Sequence, residues 1–300
     1  MFSFYNKRWI FIGISTLIIL TGLVFYFANG GFNVGIEFAG GTSILFDTGS
    51  ESTTKDDLFN AVKESLDIEA ETVQVSLANP AEFTIKMVTL TPEQSQKLVT
   101  DLKAKFNIAE DQDNLSIESF SAAYGIQLAT DAWQSALIAL ILIMIYVSFR
   151  FEFLSGVGAT AALVHDVLIM LSVYAIFRVP VNSSFVAAIL TILGYSINDT
   201  VVIFDRIRDN LKIARKETFS QTMDKSINET LTRSINTSLT TFITITLLYI
   251  MGVQSIKEFS FPIMIGLVAG TYSSIAIASP IWGMLKTAGI EARKKQVKAR

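Results

Sequence analysis

Between Gly194 and Asn210 the chain reads GYSINDTVVIFDRIRDN. An apolar run of the kind that enters lipid carries Asn198 and Asp199 inside it, then breaks into Asp205, Arg206, Arg208 and Asp209. A carboxylate deep in a membrane span costs at least about 2.5–3.5 kcal/mol on insertion scales. Such a residue faces the interior of a helix bundle and needs a partner there. The reading of the whole chain follows from taking this stretch as a transmembrane helix with a charge at its heart.

Composition agrees. Of the 300 residues, 51% are hydrophobic and 17% charged, whereas soluble domains run at about a quarter charged. Six apolar runs carry the bias: Trp9–Phe27, Ala132–Phe149, Gly156–Phe177, Asn182–Phe204, Ile235–Gly252 and Phe259–Leu285. Each meets or approaches the ~20 residues that a helix needs to cross the hydrocarbon core. The first is too long for the core of a cleaved signal and lacks a small-x-small site after it, so it reads as an anchor. With no cysteine in the chain, disulfides, thiol catalysis and cysteine-based metal sites are excluded.

The net charge of −3 hides an asymmetry: residues 29–130 hold 16 acidic and 6 basic side chains, and the remainder is basic. Basic residues of short loops set orientation. Lys7 and Arg8 precede the first span, and Arg150 follows the second. Arg206, Arg208, Lys212, Arg215, Lys216 and Lys225 follow the fourth. The tail carries Lys286, Arg293, Lys294, Lys295, Lys298 and Arg300, while Arg178 and Lys257 alone interrupt the opposite loops. Both termini are therefore expected in the cytoplasm and the acidic block outside. The expected division is 1–28 (N-terminus and first span), 29–130 (extracytoplasmic domain), 131–285 (spans two to six, with a cytoplasmic loop at 205–232) and 286–300 (basic cytoplasmic tail).

The acidic block has its own pattern. Thr42–Asp47, Glu71–Leu77, Glu82–Leu90 and Asn114–Ala122 alternate like strands. Asp56–Leu66 is amphipathic behind Thr53 or Thr54 as N-cap, and Thr91-Pro92-Glu93-Gln94 opens a second helix, to about Phe106, with a capping box. The order β-α-β-β-α-β is that of a ferredoxin-like split βαβ domain.

Within the spans, Tyr195, Ser196 and Asn198 surround Asp199, and Tyr195 and Ser196 share its helical face. The fifth span sets Arg233, Thr237, Thr240 and Thr244 along one stripe, with Arg233 near the cytoplasmic end, from where an extended side chain can reach ~6–7 Å inward to Asp199, directly or through water. A carboxyl placed between dry surroundings and a guanidinium can load and release a proton; the competing reading is a fixed pair that sets helix register. Asp205, Arg206, Arg208 and Asp209 read as a solvated cap at the membrane edge. His165 and Asp166 are adjacent in the third span, where neighbours point ~100° apart and are not expected to face each other. They either join a proton path or make structural hydrogen bonds. Gly266, Gly270, Ser274 and Ala278 recur every four residues in the last span, and Gly156 and Gly158 open the third. Such small residues admit a neighbouring helix, in ordinary bundle packing or at a moving interface.

Three stretches carry a family resemblance. GIEFAGGT (Gly35 to Thr42), the fourth-span run quoted above and TLTRSINTSLTT (Thr230 to Thr241) resemble the signatures of SecF proteins, auxiliary subunits of the bacterial Sec export machinery; LVHDV (Leu163 to Val167) also fits. Glu37 and Ala39 stand where that family usually has Asp and Thr, and SAAYGIQLATDAW lacks its usual Val-Gly-Pro element. The resemblance implies an α-helical membrane protein of the resistance-nodulation-division (RND) superfamily: a six-span half-bundle with one extracytoplasmic α+β ferredoxin-like domain. It implies a non-enzymatic accessory to protein export, driven by the proton-motive force. The implied partners are SecD, the SecYEG translocon with its accessory subunits, the translocating polypeptide and membrane lipids, with no nucleic acid and no cofactor or metal. By position, Asp199 and Arg233 match the family's proton-transport residues, with Thr237, Asn198 and Tyr195 beside them and His165 and Asp166 as secondary candidates. Gly35, Glu37, Phe38, Gly40, Gly41 and Thr42 would form the domain junction, and Gly266, Gly270 and Ser274 a packing stripe. The residues alone leave half of a proton-coupled RND exporter of small molecules or lipids as the alternative. An enzymatic outer domain is disfavoured, because that block has no His, no Cys and no glycine-rich phosphate loop.

Overall fold

The computed structural model describes residues 2–50, 52–70, 72–75, 79–108, 115–214 and 217–298, with 290–298 as helix backbone. Arg215, Lys216 and Arg300 of the expected basic loop and tail lie outside the described residues, as do the side chains of Arg293, Lys294, Lys295 and Lys298. So do residues 71, 76–77 and 114 of the expected strands.

In chain order the elements are α1 (Arg8–Ala28), α2 (Ile36–Ala39), β1 (Gly41–Asp47), α3 (Lys55–Leu66), β2 (Thr72–Val75), β3 (Glu82–Met87), α4 (Pro92–Lys105) and β4 (Leu115–Phe120). The long helices follow: α5 (Ala122–Arg150), α6 (Phe153–Phe177), α7 (Ser183–Ile213), α8 (Phe219–Met251) and α9 (Gln254–Ser273). A π-type turn over Ser274–Ala278 joins α9 to α10 (Ser279–Lys298). Among the described residues, six helical segments are long and apolar enough to cross a membrane, the sixth running through α9, the π turn and the start of α10.

The sheet is antiparallel with strand order β2-β3-β1-β4, which is the ferredoxin-like order. Ile44 and Phe46 of β1 face Ile85 and Phe83 across the ladder. They bury against Leu58, Val62, Leu98 and Leu102 of the two helices, all with essentially no exposure. Both helices begin at a true capping box, Thr54 with Asp57 and Thr91 with Gln94. The strand β3 stops at Met87, short of the expected Leu90, because the Leu90 amide bonds the Thr42 hydroxyl (3.0 Å) instead of a ladder partner.

Two expected boundaries move. Ser121 caps α5 through the Tyr124 amide (3.2 Å), so that helix starts at Ala122, inside the 29–130 segment expected for the outer domain. The expected loop 205–232 is mostly helix, since α7 runs to Ile213 and α8 starts at Phe219 behind a capping box at Thr218. The charged edge residues sustain it. Asp205 pairs with Arg208 (2.7 Å) and Arg150 (3.3 Å), and Arg206 pairs with Glu229 (2.6 Å). These residues are thus an ion-paired collar as well as an exposed cap.

In the bundle, α6, α7 and α9 form the buried layer, and α1, α5 and α8 expose long apolar faces suited to lipid. The small-residue stripe faces inward within the same chain. A Cβ on Gly266 would strike Ile192 of α7 at 2.5 Å, and one on Gly270 would meet Ser196 at 3.0 Å.

The GIEFAGGT stretch is where sheet and bundle are joined. The Gly35 amide bonds the Val181 carbonyl and the Val181 amide the Asn33 carbonyl, both at 2.8 Å. The Glu37 carboxylate accepts the Ser183 amide (2.5 Å) and so covers the first turn of α7. Gly40, at φ 85°, brings the chain over Ala122 at the start of α5, and Phe38 backbone lies against Gly125. A second tie was not legible from the sequence: Glu258 of α9 accepts from Lys86 of β3 (3.2 Å) and from Asn182 (2.6 Å). Replacing Glu258 by Ala leaves Lys86 and Asn182 without their half-buried acceptor, a loss of about 1.5–3 kcal/mol for charge-assisted bonds. Hydrogen exchange should then accelerate at Val179–Ser183 and Gly35–Gly41, with protection of the sheet core unchanged.

Candidate functional site

The site is built around Asp199 on the inward face of α7, where it is 5% exposed. Its carboxyl is served by hydroxyls. Ser238 of α8 donates to Oδ2 at 3.4 Å, and Thr271 of α9 donates to Ser238 at 2.6 Å. Ser234, wholly buried one turn from Ser238, stands beside the same carboxyl. Hydroxyls donate or accept as required, so this setting accommodates both protonation states of the acid.

Arg233 does not close an ion pair with Asp199. α8 turns Ser234 and Ser238 toward α7 and leaves Arg233 on its exposed side. Thr237, Thr240 and Thr244 lie along that side, and each hydroxyl bonds a carbonyl of its own helix. Tyr195 reaches across from α7 to the Thr237 carbonyl and the Thr241 hydroxyl, both at 3.0 Å. Asn198 is exposed, without a hydrogen-bond partner among the described residues. The predicted proton-path residues therefore separate into a buried acid and a polar strip on the surface of α7 and α8.

A second buried group is more tightly enclosed. Asp166 has no exposure, and contrary to the expectation from helical geometry its carboxylate meets the neighbouring His165, Nδ1 to Oδ1 3.1 Å. The other ring nitrogen of His165 meets Ser15 of α1 at 2.8 Å, and Ser196 of α7 donates to Asp166 at 2.7 Å. Tyr272 stacks on the imidazole and bonds the Phe11 carbonyl (2.7 Å). Thr200 and Ser274 share a hydroxyl pair at 2.8 Å, and Ser274 also donates to the Ser196 carbonyl at 3.3 Å. Ser196 thus carries one group's hydrogen bond three residues from the other group's carboxyl. Sequence reasoning missed Ser15, Ser238, Thr271 and Tyr272; the signal present was the density of hydroxyls in TYSS, residues 271–274. Among the described residues no cluster of three His, Asp or Glu side chains could hold a metal ion.

Residues 100–288 match the family model for protein export membrane protein SecD/SecF, C-terminal. A protein translocase subunit SecF of Petrotoga mobilis is 38% identical over 312 residues, covering 99% of this chain and 99% of that one. The chain belongs to the SecD/SecF family. A protein translocase subunit SecDF of Bacillus subtilis is 35% identical over 93% of this chain, which spans 37% of that longer protein. The crystal structure of SecDF from Thermus thermophilus, a translocon-associated membrane protein, superposes with a TM-score of 0.79 at 31% identity, over 95% of this chain and 39% of that one. The architecture is accordingly an RND-type six-span half-bundle with a ferredoxin-like domain, in a multi-pass membrane protein of the protein-export family.

The packing of the family bundle bears directly on the site, because Gly270 approaches both Ser196 (3.0 Å) and the Asp166 carboxyl (3.6 Å). Gly270→Leu should destabilise the bundle by about 1–3 kcal/mol, as overpacked cores do. Thermal unfolding in detergent should shift downward for this variant and stay unchanged for Gly13→Leu, whose position is open.

Proposed function

We propose that this chain is the SecF-type half of a proton-driven accessory of the Sec translocase, seated against a SecD-type partner. The observation that carries the reading is the polar strip on α7 and α8. Asn198, Thr240 and Thr244 are exposed within the fourth and fifth apolar runs, with Arg233 exposed at the edge of the fifth, and the Asn198 amide has no partner among the described residues, a group that lipid tails cannot satisfy. Polar and ionisable groups of a span face a bundle interior or a water-filled cavity, and a second helical surface over this strip would supply that setting. The SecDF relatives, which this chain matches over less than half their length, carry additional chain that fits this role.

On this reading the partner seals Arg233 near Asp199. The buried carboxyl then takes up and releases a proton as the field of the guanidinium strengthens and weakens. Movement of α7 passes to the sheet domain, since the same helix starts at the Glu37 clamp and α9 is tied to β3 through Glu258. The sheet domain engages the translocating polypeptide outside the membrane, with the SecYEG translocon and its accessory subunits beside it. Proton flow, and no chemical transformation, supplies the work.

The export assay is made in reconstituted vesicles containing the translocase and the partner, with and without a proton gradient. Asp199→Asn should assemble normally and lose gradient-dependent stimulation, while ATP-driven translocation persists. Arg233→Lys keeps a charge but loses the planar fork and should be impaired as well. Full stimulation by an assembled Asp199→Asn complex would reduce the carboxyl to a packing element.

Orientation has its own test, because the chain contains no cysteine. A cysteine at exposed Lys97 in α4 should react with an impermeant thiol reagent in intact cells. One at exposed Glu217, between α7 and α8, should react only after lysis. The opposite pattern would place the sheet domain in the cytoplasm and end the export reading.

A further inference from the structure

A cavity of about 280 Å³ opens at the end of the bundle farthest from the sheet domain, between α6, α7 and α10. Three cations, Arg208, Lys212 and Lys286, and one carboxylate, Glu152, line it. The first turn of α6 opens into it, and no side chain caps that turn, since Glu152 at the N-cap turns away to Trp282 (2.6 Å) and Lys286 (2.8 Å). The free amides and the dipole of a helix N-terminus favour an anion.

Two buried polar atoms of the lining point to a ligand independently of that helix end. Ser155, in the first turn of α6, has no exposure, and its hydroxyl has no hydrogen-bond partner among the described residues. The Nε of Arg208 is likewise buried and unpartnered, although Asp205 holds the guanidinium tip at 2.7 Å. Lys212 is held by Asp209 at 2.9 Å on its solvent side. A buried hydroxyl and a buried guanidinium N–H without acceptors are costly, and both belong to residues that line this cavity.

We infer that this pocket binds a phosphate group, contributed by the headgroup of an anionic phospholipid. Phe149 and Phe153, exposed on either side of the Phe151 that lines the pocket, give it an apolar rim suited to acyl chains. Basic pockets between transmembrane helices are known receptors for such headgroups. The inference does not depend on proton coupling or on the export partner. It adds a lipid contact at the collar where α5, α6, α7 and α10 meet.

The test is native mass spectrometry of the full chain purified in detergent and offered phosphatidylglycerol, phosphatidylcholine or inorganic phosphate. Phosphatidylglycerol should be retained and phosphatidylcholine should not. Ser155→Ala, which removes one small hydroxyl from the lining, should lower retention about threefold to tenfold, the worth of a single hydrogen bond. Lys212→Gln combined with Lys286→Gln should lower it further, and Lys225→Gln, outside the pocket, should leave it unchanged. Equal retention in the wild type, Ser155→Ala and the double lysine variant would overturn the site. So would an equal loss in Lys225→Gln, which would mean diffuse charge attraction. Binding of inorganic phosphate with no lipid retained would overturn the lipid assignment.

Discussion

Two carboxyls enclosed in a helix bundle, with hydroxyls as hydrogen-bond partners of both and a single imidazole beside Asp166, constrain the packing of every span around them. Asp166 has no exposure and Asp199 has 5%, and an unpaired charge in such a place is costly. Hydroxyls and an imidazole must therefore converge from several helices. Ser15 comes from α1, His165 from α6, Ser196 from α7, Ser238 from α8, and Thr271 and Tyr272 from α9. These short side chains reach their partners only if the backbones approach closely, which explains Gly266 and Gly270 facing α7. The glycine stripe and the buried acids are one design seen from two sides.

The same constraint separates the inside of the bundle from its uncovered flank. Hydroxyls that face inward bond across helices, as Ser196, Ser238 and Thr271 do, whereas Thr237, Thr240 and Thr244 on the exposed side bond their own backbone. Asn198 stands on that flank without a partner among the described residues, and Arg233 is exposed at its edge. On the proposed function, a second half docking on this flank would cover Arg233 while Asp199 stays buried behind it. The π turn at Ser274–Ala278 interrupts the α-helical pattern of the sixth span where Ser274 meets Ser196 and Thr200, and π turns inside helices often mark functional sites.

Much of this was legible in the sequence because local chemistry fixed it. Thr54 and Thr91 cap helices as their spacing demands, and the alternation of Phe83, Ile85 and Met87 placed β3 on the core, so the ferredoxin-like order followed. The six spans were readable from apolar length, and the family from GIEFAGGT and the fourth-span motif. What was not legible depended on rotation and side-chain reach. A difference of one residue, Arg233 against Ser234, decides which side of α8 meets Asp199, and spacing alone does not fix that angle. His165 and Asp166 meet although they are neighbours on one helix, a contact that depends on side-chain reach and not on spacing. The helical collar beyond residue 205 was hidden because its charges resemble a loop, and only the pairs Asp205–Arg208 and Arg206–Glu229 show why it stays helical. Glu258 gave no sign of its junction role, since its partners Lys86 and Asn182 are far from it in the chain.

The central claim is that Asp199 changes protonation inside the assembled bundle. Infrared difference spectroscopy of the reconstituted complex, switched between alkaline and acidic medium, reads this directly through the carbonyl stretch of protonated carboxyls. The account predicts a band from a dry, protonated carboxyl that appears on acidification and is missing in Asp199→Asn, with the Asp166 signal retained. A difference spectrum identical in the wild type and Asp199→Asn would contradict it.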